Sequence, residues 1–240
     1  MWQGGEIVAK PFRGVGSTVY GVLARTLAGL QAMESSTPIE GLSARTARAA
    51  VDAGGSAEPT PVVVALIGLP GAGKSVVARA LAEKLLLRRV CRDAIRQALF
   101  PQCSYSFAEN AAAFRGVMLA LEINCLLGES TVLDGMTFAR RSDLEKVEAM
   151  ARQHSFTMIP VYLDCPPEVA SARIARDMEA GDHPARNRKP DIVYQVKARF
   201  DEPPRNALVI NANQPAADVC RIAVDAVAQF RGVRSISSVS

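Results

Sequence analysis

The chain reads as an α/β protein whose parallel five-stranded sheet is covered by helices on both faces. Two observations say so. The run PVVVALIG at residues 61–68 is continuous, β-branched and apolar, the composition of a strand buried on both of its faces. Beyond it, helical periodicity alternates with short apolar runs as far as residue 230. Strands separated by helices build βαβ units, and these pair in parallel.

Taken in order, the strand at 61–68 breaks at a glycine-rich turn, and the amphipathic stretch SVVARALAEKLL carries helical spacing across 74–87. A short strand lies near 88–92, with helical stretches at about 93–99 and 107–127. STVLD at 130–134 reads as a strand and 141–153 as a helix. FTMIPVYLDC at 156–165 is a strand, followed by a helix at 167–178, a polar loop and a helix at 190–200. The strand ALVIN and a helix at 215–230 complete the pattern.

Before this domain the composition is different. Residues 34 to about 60 are rich in Ser, Ala, Gly, Thr and Pro and read as a linker, with one weak helix near 42–53. The first 33 residues hold one carboxylate, Glu6, and STVYGVLARTLAGLQAM has helical apolar spacing. That suits a short amphipathic helix docked on the domain better than a transit peptide, which would concentrate arginine and serine. The expected organisation is an N-terminal extension at 1–60, partly disordered, a domain at 61–232 and a disordered tail at 233–240.

Hydrophobic residues make up 49% of the chain and charged residues 22%, enough for a real core. The net charge of +4 suits an anionic partner such as a nucleotide and falls short of a basic nucleic-acid stripe. Aromatic residues are 5%, too few to argue for a stacking groove. Cys91, Cys103, Cys125, Cys165 and Cys220 are scattered and contain no C-x-x-C pair, so they read as apolar residues of a reducing, cytoplasmic protein. His154 and His183 have no partner at metal-ligand spacing. No uncharged run is long enough to span a membrane.

The turn after the first strand is GLPGAGKS, residues 68–75, which matches G-x-x-x-x-G-K-[ST] between a buried strand and an amphipathic helix. Its chemistry follows from its residue types. Gly68, Gly71 and Gly73 let successive N–H groups turn inward at phosphate oxygens, with the positive end of a helix behind them. Leu69, Pro70, Ala72 and Val76 complete the cradle. Lys74 bridges β- and γ-phosphates, and Ser75 offers a hydroxyl to Mg2+. ATP and Mg2+ are therefore the expected cofactors of a P-loop NTPase fold.

What becomes of the γ-phosphate depends on residues downstream. The N-K-x-D motif by which GTPases read their base is missing, and so are the paired signatures of the large ATPases. The strand TVLDG ends in Asp134, which orients a metal-bound water, touches the acceptor or merely caps the turn. A kinase must also neutralise charge on the migrating group. Arg173 and Arg176, three apart on one helix, suit that task, as do Arg186, Arg188 and Lys189 in the polar loop behind them. Asp93 and Arg96, in CRDAIR at 91–96, share one helix face.

The order GLPGAGKS, RDAIR, VLDGMTFARRSD and VYLDCPPEVASARIARD resembles the P-loop kinases grouped with the kinase domain of 5′-hydroxyl polynucleotide kinases. Zeta-toxin and adenylylsulfate kinase families are more distant relatives. The resemblance covers about residues 61–230 and implies a kinase with strand order 2-3-1-4-5. It makes Asp93 the general base for an acceptor hydroxyl and Arg96 an acceptor contact. Arg173 and Arg176 become the lid arginines, and Arg140 and Arg141 match a basic pair near the acceptor, where Asp134 is also placed. ALVINANQPAADV resembles the segment beside the adenine, with Asn211, Asn213 and Gln214 as contacts. The implied substrates are ATP and a hydroxyl-bearing small molecule or nucleic-acid 5′ end. The alternatives are a nucleotide-binding regulatory module and a slow ATPase with no dedicated acceptor.

Overall fold

The computed structural model of the protein describes residues 59–180 and 189–232. The N-terminal extension with its two expected helices, the C-terminal tail, and Arg186 and Arg188 of the polar loop lie outside the described residues. The domain alternates strictly enough to be named in one pass. Strand β1 (Val62–Ile67) leads to helix α1 (Lys74–Leu85), β2 (Arg88–Cys91), α2 (Arg92–Leu99), α3 (Phe107–Leu126) and β3 (Thr131–Asp134). Helix α4 (Arg141–Gln153), β4 (Thr157–Asp164), α5 (Pro167–Ala180), α6 (Ile192–Lys197), β5 (Leu208–Asn211) and α7 (Ala216–Phe230) follow.

All four strand pairings are parallel, and the strand order is β2-β3-β1-β4-β5. This is the order the sequence led us to expect. Strand β1 lies at the centre, and its alternation explains the unbroken apolar run. Val62, Val64 and Leu66 enter one core while Val63, Ala65 and Ile67 enter the other. Both faces are dry because successive side chains of a strand point to opposite sides. Burying each of its larger side chains is worth about 1.5–3 kcal/mol, so this strand anchors the sheet.

The first core packs Val77, Ala78, Leu81 and Leu85 of α1 against Val219, Ala223 and Val227 of α7, with Ala170 and Ile174 of α5 beside them. The second packs Val117, Leu121 and Cys125 of α3 with Leu144, Val147 and Ala151 of α4. Spacings of three and four place these residues on one stripe of each helix. Helix α3 begins at a capping box in which the Glu109 backbone N–H donates to the Ser106 hydroxyl and the Ser106 N–H donates to the Glu109 carboxylate. Helix α1 ends at Leu86, whose φ of 56° reverses the chain into β2. The five cysteines are free thiols. Among the described residues no helix is long and apolar enough to cross a membrane.

Candidate active site

The site lies at the carboxyl ends of β1, β2 and β3, where open parallel sheets bind their ligands. The turn leaving β1 is left-handed at Gly71 and Gly73, with φ of 82° and 93°. At Gly71 the conformation is matched by crowding. A Cβ there would meet the Ala170 carbonyl oxygen at 2.3 Å, so the first turn of α5 rests directly on loop backbone. The loop closes with the Ala72 N–H donating to the Leu69 carbonyl at 3.1 Å and then enters α1 at Lys74. Lys74 is buried, and its Nζ donates to the carbonyls of Gly68 at 2.9 Å and Leu69 at 2.7 Å. The ammonium is thereby held across the mouth of its own loop.

Ser75, the next residue, donates its hydroxyl to Asp134 Oδ1 at 2.8 Å. Of the three readings open to Asp134 in the sequence, this contact favours the metal side over the acceptor side. The carboxylate also accepts the Gly135 N–H at 2.7 Å, so it caps the turn as well. Ser75 and Asp134 together present hard oxygen donors at the start of α1, the donor type that suits Mg2+, whose remaining ligands are normally phosphates and water.

Asp134 has a partner the sequence did not suggest. Arg89 on β2 donates to Asp134 Oδ2 from Nε at 2.9 Å and from Nη2 at 2.6 Å. Burial disfavours the Arg89 charge, yet hydrogen bonding to Asp134 and attraction by it prevail and raise its pKa above the ordinary arginine value. Burial likewise pushes the neighbouring Cys91 thiol up, keeping it neutral.

One strand over, β2 runs straight into α2, and the expected acidic-basic pair is present. Arg96 Nη1 donates to Asp93 Oδ1 at 2.6 Å, with side-chain exposures of 7% and 14%, which rules out a solvated surface pair. Cys91 pairs with Asp134 in the sheet register, so Asp93 follows within two residues of the strand position beside the metal-side carboxylate. Asn110 of α3 and Tyr105 of its entry loop surround the Arg96 guanidinium. Arg92 and Arg96 both donate to Asn110 Oδ1, at 3.0 and 3.1 Å, and Asn110 Nδ2 donates to the Tyr105 carbonyl at 2.8 Å. The Arg96 guanidinium lies 5.2 Å from the centre of the Tyr105 ring.

Other expected residues are placed less centrally. Arg173 turns away from its helix neighbour, donating to the Ala212 carbonyl at 2.9 Å and lying 3.8 Å from Cys165 Sγ, while Arg176 is exposed. The two arginines therefore do not act as one pair in this structure. Arg140 and Arg141 are exposed at the start of α4. Arg141 reaches the 201–202 segment, through its backbone N–H to Asp201 at 2.7 Å and its side chain to the Glu202 carbonyl at 3.3 Å. After β5 the loop is knitted to itself: the Asn213 N–H donates to Asn211 Oδ1 at 2.8 Å and Gln214 Nε2 to the Asn211 carbonyl at 2.7 Å.

Residues 63–203, more than half of the chain, match the family model described as an AAA domain. The chain belongs to the AAA domain family. No curated protein matches it. Among solved structures, a protein described as a kinase from Chloroflexus aurantiacus superposes with a TM-score of 0.55 at 22% identity, covering 68% of this chain and 96% of that one. A gluconokinase from Sinorhizobium meliloti gives 0.55 at 18% identity, with coverage of 74% and 96%. An APS kinase from Mycobacterium tuberculosis, in complex with AMPPNP and APS, gives 0.52 at 18%, with coverage of 70% and 97%. At these identities the likeness establishes the shared fold. The residues that the sequence pattern missed, Arg89, Asn110 and Tyr105, enter the site through contacts between distant segments. Of the added wall residues, only Arg92 stands within the RDAIR motif.

Proposed function

We propose that the chain is an ATP- and Mg2+-dependent phosphotransferase that moves the γ-phosphoryl group to a hydroxyl of a small molecule or of a nucleic-acid 5′ end. One observation carries this reading. A half-buried carboxylate, Asp93, paired with the buried guanidinium of Arg96, lies at the end of β2, whose Cys91 pairs with Asp134 of the Ser75–Asp134 contact. A hydrolase has no need of a second carboxylate held in an ion pair on that side, whereas a transferase needs a group there to receive the acceptor's proton.

Each residue then has a task. The loop backbone from Gly68 to Val76 surrounds the phosphates, and Lys74 exchanges its two loop carbonyls for β- and γ-phosphate oxygens. Ser75 would hold Mg2+ through its hydroxyl oxygen, with Asp134 behind it accepting the hydroxyl proton, and the ion would supply charge neutralisation at the phosphates. Asp93 takes the hydroxyl proton late in a loose transition state and so need not be a strong base. Arg96 fixes the orientation of that carboxylate and, with Arg92, gives the pocket a cationic wall suited to an acceptor that carries its own negative charge. Arg176, exposed on α5, serves the migrating phosphoryl group, while Arg173 braces the loop after β5. The similarity of motif order to polynucleotide kinases supports the 5′-end acceptor. The shared fold with proteins named gluconokinase and APS kinase supports the small molecule.

The test is labelled ATP incubated with 5′-hydroxyl oligonucleotides, nucleosides, sugars and adenylylsulfate, using the full chain, Lys74→Ala and Asp93→Asn. Labelled product that disappears in both variants is the expected result, with a loss of about 10²–10⁴ for Asp93→Asn while ATP still binds. ATP binding with no labelled acceptor, indifferent to Asp93→Asn, sinks the transferase reading in favour of a regulatory module or slow hydrolase.

A further inference from the structure

The ion pair between Arg89 and Asp134 is more than the site needs to keep Asp134 in place. A carboxylate offers about four lone-pair positions. Here four donors use them: the Ser75 hydroxyl and Gly135 N–H on Oδ1, and two guanidinium N–H groups of Arg89 on Oδ2. The Asp134 side chain is fully buried, with an exposure of 0%. Arg89 itself is exposed, with 33% of its side chain open to water, so solvent screens the pair from the arginine's side, and the two-pronged contact offsets part of what the buried carboxylate would offer a cation. The guanidinium comes from the edge strand, across the β2–β3 pairing, in which Arg89 lies opposite Val132 and Cys91 opposite Asp134. Residues two apart on a strand share a face, so Arg89 approaches Asp134 on the same side as α1 and its Ser75.

Resting on the phosphotransferase reading above, we propose that Arg89 is a positioning residue that makes divalent-metal binding conditional on nucleotide. It neutralises Asp134 and pins it against Ser75, so the cation gains a net negative site only when the triphosphate brings its own charge. A bare carboxylate at this position would take up metal in advance and hold it in the wrong order. The guanidinium fork, unlike a flexible ammonium, also fixes the carboxylate plane.

Mn2+ is the probe, titrated into the full chain with and without AMPPNP and read by the paramagnetic resonance signal of the free ion. The wild type binds Mn2+ weakly alone and tightly with AMPPNP. Arg89→Gln is expected to bind Mn2+ alone about three- to tenfold more tightly, as removing a partly screened cation from a buried carboxylate warrants. Arg89→Lys, which keeps the charge, stays within about twofold of wild type. Adding Asp134→Asn to Arg89→Gln abolishes the gain. Arg89→Met repeats the neutral replacement should the glutamine variant fold poorly. Nucleotide-free Mn2+ affinity that is unchanged or weaker in the neutral variants overturns the proposal, as does an equal gain in Arg89→Lys. A wild type that binds neither AMPPNP nor Mn2+ with AMPPNP would instead overturn the phosphotransferase reading. A purely structural role for Arg89 would lower the melting temperature and leave nucleotide-free metal affinity where it was.

Discussion

Replacing Gly71 by alanine tests how the phosphate loop is seated. The added Cβ would lie 2.3 Å from the Ala170 carbonyl oxygen, 3.0 Å from its carbon and 3.1 Å from Ile174 Cγ1. Two of those atoms are backbone in the first half of α5, and neither can rotate away. The residue would also keep a φ of 82°, a left-handed conformation that costs a non-glycine residue about 1–2 kcal/mol. Overpacking a tight contact adds about 1–3 kcal/mol. The total of about 2–5 kcal/mol is a large part of a domain's stability, and at about 2–4 °C per kcal/mol it lowers the melting temperature by about 4–20 °C. Gly73→Ala is the control, because its φ of 93° is equally left-handed while a Cβ there has nothing within 4 Å. Its loss is confined to strain, about 1–2 kcal/mol, or about 2–8 °C. Thermal melts with and without Mg2+ and ATP measure both variants. Gly71→Ala should show the deeper loss and little recovery on adding nucleotide. Equal melting temperatures for the two variants would refute the claim that contact with α5 seats the loop.

Three further outcomes are expected. Leu86→Gly should raise the melting temperature by about 1–4 °C in a thermal melt, because Leu86 is exposed at 76% and relief of its left-handed strain exceeds the glycine's entropic cost by about 0.5–1 kcal/mol. The Glu109 carboxyl is held down to about 2 by the Ser104 backbone N–H, against an opposing burial effect, with help from the Ser104 hydroxyl, the Ser106 N–H and Cys103. Because its folded value lies below the unfolded one, its contribution is complete above the ordinary carboxylate range and is lost as the pH falls from about 4.3 through about 2. Protection of the Ser104 and Ser106 amides, taken relative to their intrinsic exchange rates, should fall across that window, and Glu109→Gln should remove that change in protection. In Gly116→Ala the new Cβ would meet Ile95 Cγ2 at 2.7 Å and displace α2, lowering turnover by up to about 100-fold with ATP affinity unchanged. Ile95→Ala in the same chain should restore turnover, as measured in a coupled kinase assay.

The sheet and its strand order were legible because β1 is apolar at every position and the phosphate loop follows it directly. Local pattern also located α2, since Asp93 and Arg96 lie one helical turn apart within RDAIR. What the pattern could not show was which distant group answers each charge. Arg89 on an edge strand reads as a solvated arginine, and only the pairing of β2 with β3 brings it to Asp134. Asn110 reads as an ordinary polar residue early in α3, yet it receives two guanidinium groups from the preceding helix. Arg173 and Arg176 illustrate the opposite error. Spacing along α5 puts them on one face, but the Ala212 carbonyl captures one and leaves the other exposed.

The contact at Gly116 has a consequence for how such a protein can diversify. Helix α2, eight residues long, continues from a four-residue edge strand, and Ile95 rests against a glycine of α3. Asp93, Arg96 and the Asn110 wall thus belong to a compact corner made of β2, α2 and the start of α3. The phosphate loop belongs to β1 and α1 and is seated against α5. On the phosphotransferase reading, substitutions in the corner would change which molecule is presented without disturbing the donor end, so a lineage built on this plan would exchange customers while retaining its fuel.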